Sequence, residues 1–520
     1  MTARAARRPR GRRRGGRLLL AGLVLVGLVA LYGIAGLSRP MVLSAAPAGG
    51  SPGQLTVASV LVGCPAPGSG GLTGGGVAQV SAPAPGAKQG QVTLVAADHG
   101  GGKKAIRTIT PSPGQLTVDS VATGPVLPGK LAAMPAMAGG LVPTTRGHGG
   151  LSLAATGADA QGFDAEQLGP DGQPTARCLA PGSNFWFVGP GSPKLHDELY
   201  LLNVDGQPAD ATLSVQTDAG PLLGTPDSGI IVPPHAMVVQ NLDKLLRSAR
   251  AVALNVTTSS GRVVAAVRQT SGLGRAGTWL PAAQPPATSQ VLPGLPSSGG
   301  PHELYVTVPG QSAAVVRVTV VTTHGTFHPT GGSGLNVLNQ TTEGFPIPSL
   351  TGNLGAVEVS ANVPVTAVLE VSGGAGGAPG AFIAGAEPIT GQGVIAASPS
   401  GRAGKTELVL SAPGPAATVR VTVAGPRTPL AGQTGQVVHI TAKSSTQIRI
   451  VLPKGSAPPR GTSLVAIVVT PQPGSGPVYA GRIAFVGGSV RAILPVESAP
   501  PVIRLPAVRE SLLTVLDSSG

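Results

Sequence analysis

Aromatic residues are scarce in this chain, at 2% of 520 residues, with Trp 2, Tyr 4 and Phe 7. Cores must therefore be built from Val, Leu, Ile and Ala. Charge is also sparse, at 11%, and mean hydropathy is positive, which is opposite to the signature of disordered chains. Acidic residues are missing altogether before Pro40, a stretch that holds nine of the 36 basic residues and none of the 22 acidic ones. From Pro40 onward the balance is 27 minus 22, or +5. No Lys or Arg run longer than Lys103-Lys104 occurs there, so the chain beyond Pro40 has no electrostatic footprint for nucleic acid.

Eight arginines (Arg4, Arg7, Arg8, Arg10, Arg12, Arg13, Arg14, Arg17) run directly into an uncharged twenty-residue segment, Leu18 to Leu37. Twenty helical residues rise about 30 Å, roughly the thickness of a bilayer's hydrocarbon core, and arginines bunched on one side keep that side cytoplasmic. The expectation is a retained signal anchor at 18–37, in contact with the bilayer, a basic cytoplasmic tail at 1–17 and an extracytoplasmic remainder. Secretion after cleavage of that segment is the alternative. Residues 38–53, rich in Pro, Ala, Gly and Ser, read as a linker.

Gly (78) and Pro (52) make up a quarter of the chain, but they fall between apolar β-branched runs, where they act as turns. The two cysteines, Cys64 and Cys178, are expected outside the membrane, where a disulfide is the default. No CxxC motif supports a redox pair.

A repeat organises the rest. Three openings match: Asp197-Glu198-Leu199-Tyr200-Leu201, His302-Glu303-Leu304-Tyr305-Val306 and Thr406-Glu407-Leu408-Val409-Leu410, their glutamates 105 and then 104 residues apart. Alternating strands follow at Ala211–Gln216, Val315–Val321 and Thr418–Val423. Shorter strands precede them at Phe185–Val188, Val291–Leu295 and Val394–Ala397. Strand pairs close each unit: Ala251–Thr257 with Val263–Arg268, Ala356–Ser360 with Val365–Val371, and Leu464–Thr470 with Val478–Phe485. About seven short strands per hundred residues predict an all-β chain of tandem immunoglobulin-like sandwiches, with a β-propeller as the alternative. The domains expected are a divergent N-terminal β-domain at 54–180, stapled by the cysteines and irregular over Gly149–Ala176, and sandwich units at 181–289, 290–392 and 393–520, the last with a C-terminal strand at Val502–Leu505. One short connecting helix is predicted, over Leu242–Ser248.

The run Cys178-Leu-Ala-Pro-Gly-Ser-Asn-Phe-Trp-Phe-Val-Gly-Pro-Gly191, with Glu198-Leu-Tyr-Leu-Leu-Asn-Val204, Ile231-Val-Pro-Pro-His235 and Thr278-Trp-Leu-Pro-Ala282, resembles an actinobacterial domain-of-unknown-function family of secreted, membrane-anchored proteins. The resemblance implies an uncharacterised envelope protein with no assigned reaction.

The sequence holds no HExxH and no GxxxxGK[ST], and its single GxSxG string, Gly49–Gly53, lies in the linker. His324 and His328 flank Gly325 and precede Pro329, so their spacing reads as loop rather than a zinc-binding helix face. The repeated glutamates are expected to anchor a turn or pair with a neighbouring unit, and His196 and His302 to play equivalent structural roles. Trp186 and Trp279 are expected in the core. The function expected is non-enzymatic and without cofactor or metal: a structural or binding role in the bacterial cell envelope, with a wall polymer or envelope protein as partner. The alternative is an enzyme, or an accessory subunit of one, in a polysaccharide-processing complex.

Overall fold

The computed structural model describes residues 54–504, apart from 66–74, 88, 98–103, 110–116, 124–141, 145–149, 170–173, 223–227, 272–276, 299, 372–379, 402–403, 426–429, 431–432 and 452–462. The expected tail, anchor and linker lie outside the described residues. Among the described residues no helix is long and apolar enough to cross a membrane. The chain is nearly all β, and Thr56–Ile503 forms one compact body.

Within that body the described strands sort into two layers for each quarter of the chain, those of the second unit joined by one continuous strand, and in each quarter the two layers share one apolar core. The N-terminal segment pairs Ser59–Cys64, Gly150–Thr156, Gln91–Ala97 and Lys104–Ile109 in one sheet. The facing sheet runs Pro174–Arg177, Asp164–Leu168, Gly75–Val80, Thr117–Thr123 and Val142–Thr144. In the first unit Asn184–Pro190, Ala251–Ser260 and Ala209–Thr217 face Met237–Asn241, Leu195–Leu202, Val264–Ser271 and Gly277–Leu280. Alternation explains the layering: in Ala209–Thr217 the residues Ala211, Leu213 and Val215 point into the core, and Ser214 between them is exposed.

Two expectations need correction. The strands predicted at Ala356–Ser360 and Val365–Val371 are a single strand, Gly355–Val371, which pairs with Ala314–Thr322 in one sheet and with His302–Thr307 in the other. No glycine interrupts residues 356–371, so nothing forces a turn. Pro364, which has no N–H, falls between the two ladders, where the strand passes from one sheet to the other. The span Gly149–Ala176, expected to be irregular, instead supplies Gly150–Thr156, Asp164–Leu168 and Pro174–Arg177. The first of these alternates in a readable way, with Leu151, Leu153 and Ala155 fully buried.

Apolar contacts link the quarters in a closed circuit. Leu61, Ala97 and Leu179 of the N-terminal segment pack with Tyr200, Leu202 and Val264 of the first unit. The first unit's core takes in Tyr305, Val368 and Phe382 of the second, and the second unit's core takes in Val409, Ile483, Phe485 and Ile493 of the third. The third unit's Val394, Ala396, Ala397 and Leu464 then pack on Ala78, Val80 and Leu168 of the N-terminal segment.

Backbones approach closely where the second and third units meet. A Cβ on Gly481 would lie 2.5 Å from the Pro293 carbonyl oxygen and 2.6 Å from the Gly294 Cα. These are backbone atoms that cannot swing aside, so Gly481→Val is expected to cost about 1–3 kcal/mol as overpacking. Denaturant unfolding would read this as a lower midpoint, and an unchanged midpoint would mean that this junction is slack.

Candidate functional site

The most concentrated polar chemistry of the described residues lies where the N-terminal segment meets the third unit. The strand Asp164–Leu168 brings in Asp164 and Glu166, and Pro174–Arg177 beside it brings in Arg177. From the third unit, Tyr479–Val486 contributes Arg482, and Gly393–Ser400 contributes its backbone. Arg482 Nη2 donates to Glu166 Oε2 at 2.9 Å and Nη1 to the Ala397 carbonyl at 2.7 Å; both side chains of this ion pair are 0% exposed. Ala397 N–H donates to Glu166 Oε1 at 2.9 Å, and Ala396 N–H to Asp164 Oδ2 at 2.7 Å. Arg177 Nε lies 2.9 Å from Asp164 Oδ1, in an ion pair whose N–H is not aligned as a hydrogen bond. Arg177 Nη1 and Nη2 donate to the carbonyls of Pro495 and Val394, both at 3.1 Å, and Nη1 also meets Glu497 Oε1 at 3.0 Å.

Burial drives the Asp164 carboxyl up to about 7, against the pull of Arg177 and with a further push from Glu166. The groups around it suit the ionised form, so burial rather than want of partners causes the rise. Burial weakens the charge of both arginines, and for Arg177 the neighbouring Asp164 and Glu497 more than reverse this. For Arg482 burial prevails over Glu166. Every carboxylate here is occupied by a guanidinium or by a backbone N–H of the other segment. That arrangement fastens two segments together and leaves no carboxylate free to act on a substrate.

Beside this joint is a cavity of about 60 Å³, with all four quarters in its wall: Arg177, Phe187, Trp279, Phe382, Ile493 and Glu497. It has room for a few waters and falls well short of the roughly 300–1,000 Å³ typical of small-molecule sites.

Cys64 and Cys178 are joined in a disulfide spanning 114 residues, in the N-terminal core. The sulfurs are buried, and Cys178 directly follows Arg177, so the bridge steadies the strand that carries the joint. Trp186 sits in the first unit's core, whereas Trp279 is partly buried, tilted against Tyr200 with ring centroids 5.4 Å apart. His324 and His328 flank the short strand Gly325–Phe327, and His328 Nδ1 lies 3.2 Å from the Val318 carbonyl oxygen. Among the described residues no group of three or more His, Cys, Asp or Glu could hold a metal ion.

The repeated glutamates sit within strands, and their partners are two residues along or across the ladder. Glu198 accepts from Tyr200 Oη at 2.7 Å and Glu407 from Lys405 Nζ at 3.1 Å. Glu303 stands opposite Glu370, which takes the Tyr305 phenol at 3.1 Å. The two histidines expected to be equivalent differ. His196 is exposed and its Nδ1 lies 2.7 Å from Asp243 Oδ2, on the helix Asp243–Leu246, a contact that raises its pKa. The second unit has the 3₁₀ turn Pro348–Leu350 at the corresponding place, without an acid, and His302 is buried with Nε2 unpartnered.

Burial lowers His302 to about 4. The unfolded chain binds a proton near pH 6.5 and the native state only near 4, so stability is steady above 6.5 and falls as pH drops from 6.5 towards 4. Burial raises Asp197 to about 6, with Gln269 opposing, and its sign is reversed: stability falls as pH rises from about 4 to 6. Because the two oppose each other, the test is a difference. His302→Gln is expected to remove about 2–3 kcal/mol of acid-side loss between pH 6.5 and 4, read from denaturation midpoints. Parallel pH profiles for the two proteins would contradict a buried neutral imidazole.

The fold and the joint define a multi-segment, nearly all-β protein closed on itself by apolar junctions and a buried ionic joint, with a disulfide inside its N-terminal segment. The chain belongs to a family of unknown function (DUF5719), whose model matches residues 136–451. No curated protein matches the chain.

Proposed function

We propose that this chain is a non-enzymatic, membrane-anchored β-repeat protein of a bacterial cell envelope, with a structural or binding role outside the membrane. The observation that carries the reading is the joint around Glu166 and Arg482. It is the densest constellation of acids and bases among the described residues, and its carboxylates and guanidinium Nη groups are engaged in fastening the N-terminal segment to the third unit. A protein built this way presents surfaces and spacing. The buried disulfide supports an oxidising compartment, and the arginine cluster ahead of Leu18–Leu37 supports an anchor with its N-terminus in the cytoplasm. The sequence stretches Cys178–Gly191 and Thr278–Ala282 support an actinobacterial source and a secreted, anchored class.

The units at 181–289, 290–392 and 393–520 are read as immunoglobulin-like sandwiches, preceded by a fourth at 54–180. Paired sheets around one core in each repeat support that reading over a propeller. The partner is a wall polymer or another envelope protein. Protease shaving of intact cells tests the compartment: loss of the body with retention of a short, membrane-bound N-terminal fragment is expected. Full-length protein recovered untouched from the cytosol would remove the proposal.

A further inference from the structure

Charge is distributed very unevenly among the repeats. Between 181 and 289 there are seven Lys or Arg and seven Asp or Glu, and between 290 and 392 Arg317 stands alone against five glutamates. Between 393 and 504 there are eleven basic residues and two acidic ones, a balance of +9. Both of those acids are engaged, Glu407 with Lys405 Nζ at 3.1 Å and Glu497 with Arg177 Nη1 at 3.0 Å. Of the described cations in this unit, Arg482 is buried in the joint and Arg491 is exposed on Ser489–Pro495, the opposite edge of its sheet, while Arg420, Lys443 and Arg449 are exposed elsewhere.

These three are gathered by topology along one margin of the unit. The strands Gln436–Ile440 and Ser444–Ile450 are each the outermost of their sheet, and Lys443 lies in the turn that joins them. Arg449 is on the second edge strand, opposite Glu407, whose carboxylate is already taken. Arg420 is on Ala417–Ala424, paired directly with the first edge strand opposite Val437, and its Nη1 donates to the Thr434 carbonyl at 2.7 Å. His439 and Val437 are exposed on the same strand.

We infer that the third unit is the chain's docking module and that its partner is an extended anionic polysaccharide bearing carboxylate or phosphodiester groups. This deepens the binding role proposed above and rests on it. Cations strung along a margin, without convergence on a pocket, match a ligand whose charge repeats along its length. A protein interface would call for aromatic or large apolar anchors. The aromatics of this unit are only Tyr479 and Phe485, of which Phe485 is buried and Tyr479 half-buried. The same shortage leaves no stacking platform for the bases of a single-stranded nucleic acid.

The test uses the purified full chain in detergent and fluorescein-labelled polygalacturonate as the probe. Binding in low salt is expected, weakening steeply as salt is added. The triple variant Arg420→Gln, Lys443→Gln, Arg449→Gln is expected to raise Kd at least ten-fold and to make the slope of log K against log salt shallower by about 2, for three lost contacts. Its thermal midpoint should be unchanged, since the three side chains are exposed, and Arg317→Gln in the second unit should bind as the unaltered protein does. The inference is overturned by an absence of binding in low salt, by equal Kd for the triple variant and the unaltered chain, or by an equal loss of affinity in Arg317→Gln. Any of these results leaves the compartment reading to stand or fall on the shaving experiment alone.

Discussion

Arg482→Met is expected to lower unfolding stability by about 3–5 kcal/mol, the cost of stranding a buried charge. Methionine keeps much of the arginine's volume, so the loss comes from Glu166, which is 0% exposed and retains only the Ala397 N–H at 2.9 Å. The Ala397 carbonyl also loses its donor, at 2.7 Å. The companion variant decides the cause. In Glu166→Gln with Arg482→Met the amide oxygen still accepts from Ala397 N–H and no unpaired charge is left at residue 166, so most of the loss should be recovered. Equilibrium denaturation of the two variants measures this directly. If the double variant is as unstable as the sum of the two single changes, the pair is not coupled as described.

The second large effect belongs to the disulfide. Replacing Cys64 and Cys178 with alanine releases a closure of 114 residues, and the chain-entropy account puts the loss at about 4–5 kcal/mol. The consequence should reach beyond the N-terminal segment, because Cys178 follows Arg177, whose guanidinium holds the Pro495 and Val394 carbonyls of the third unit. Amide exchange in Gly393–Ser400 and Ser489–Pro495 is therefore expected to speed up in the double-alanine protein. Exchange that rises only within residues 56–180 would confine the bridge to a local role. Both sulfurs are buried, so added reductant should act slowly on the native protein.

Much of the fold could be read from the sequence because its cores are aliphatic and its strands alternate. Val315–Val321 and Thr418–Val423 fall inside the observed Ala314–Thr322 and Ala417–Ala424, and Leu242–Ser248 contains the helix Asp243–Leu246. With only two cysteines, both expected outside the membrane, a single bridge is the default, and it is the one observed. The ionic joint was not legible as a joint. Asp164 and Glu166 alternate with apolar neighbours in a stretch that looked irregular, and Arg482 is a lone cation in an apolar strand 316 residues from Glu166. Each is a visible anomaly, a charge at a position where burial is expected, but nothing local names its partner. The split drawn at residues 360–365 failed for a similar reason. A strand that changes sheets keeps its own alternation and alters only its neighbours, which a one-dimensional pattern does not contain.

The central claim is that Thr56–Ile503 is one closed body, with the last unit holding the first. Scanning calorimetry of the full chain tests it most directly. One cooperative transition is expected for this body in the unaltered protein, and in Arg482→Met a lower midpoint with the N-terminal segment melting apart from the rest. Several independent transitions in the unaltered protein, unmoved by the substitution, would mean that the repeats are separate beads and that the ionic joint closes nothing.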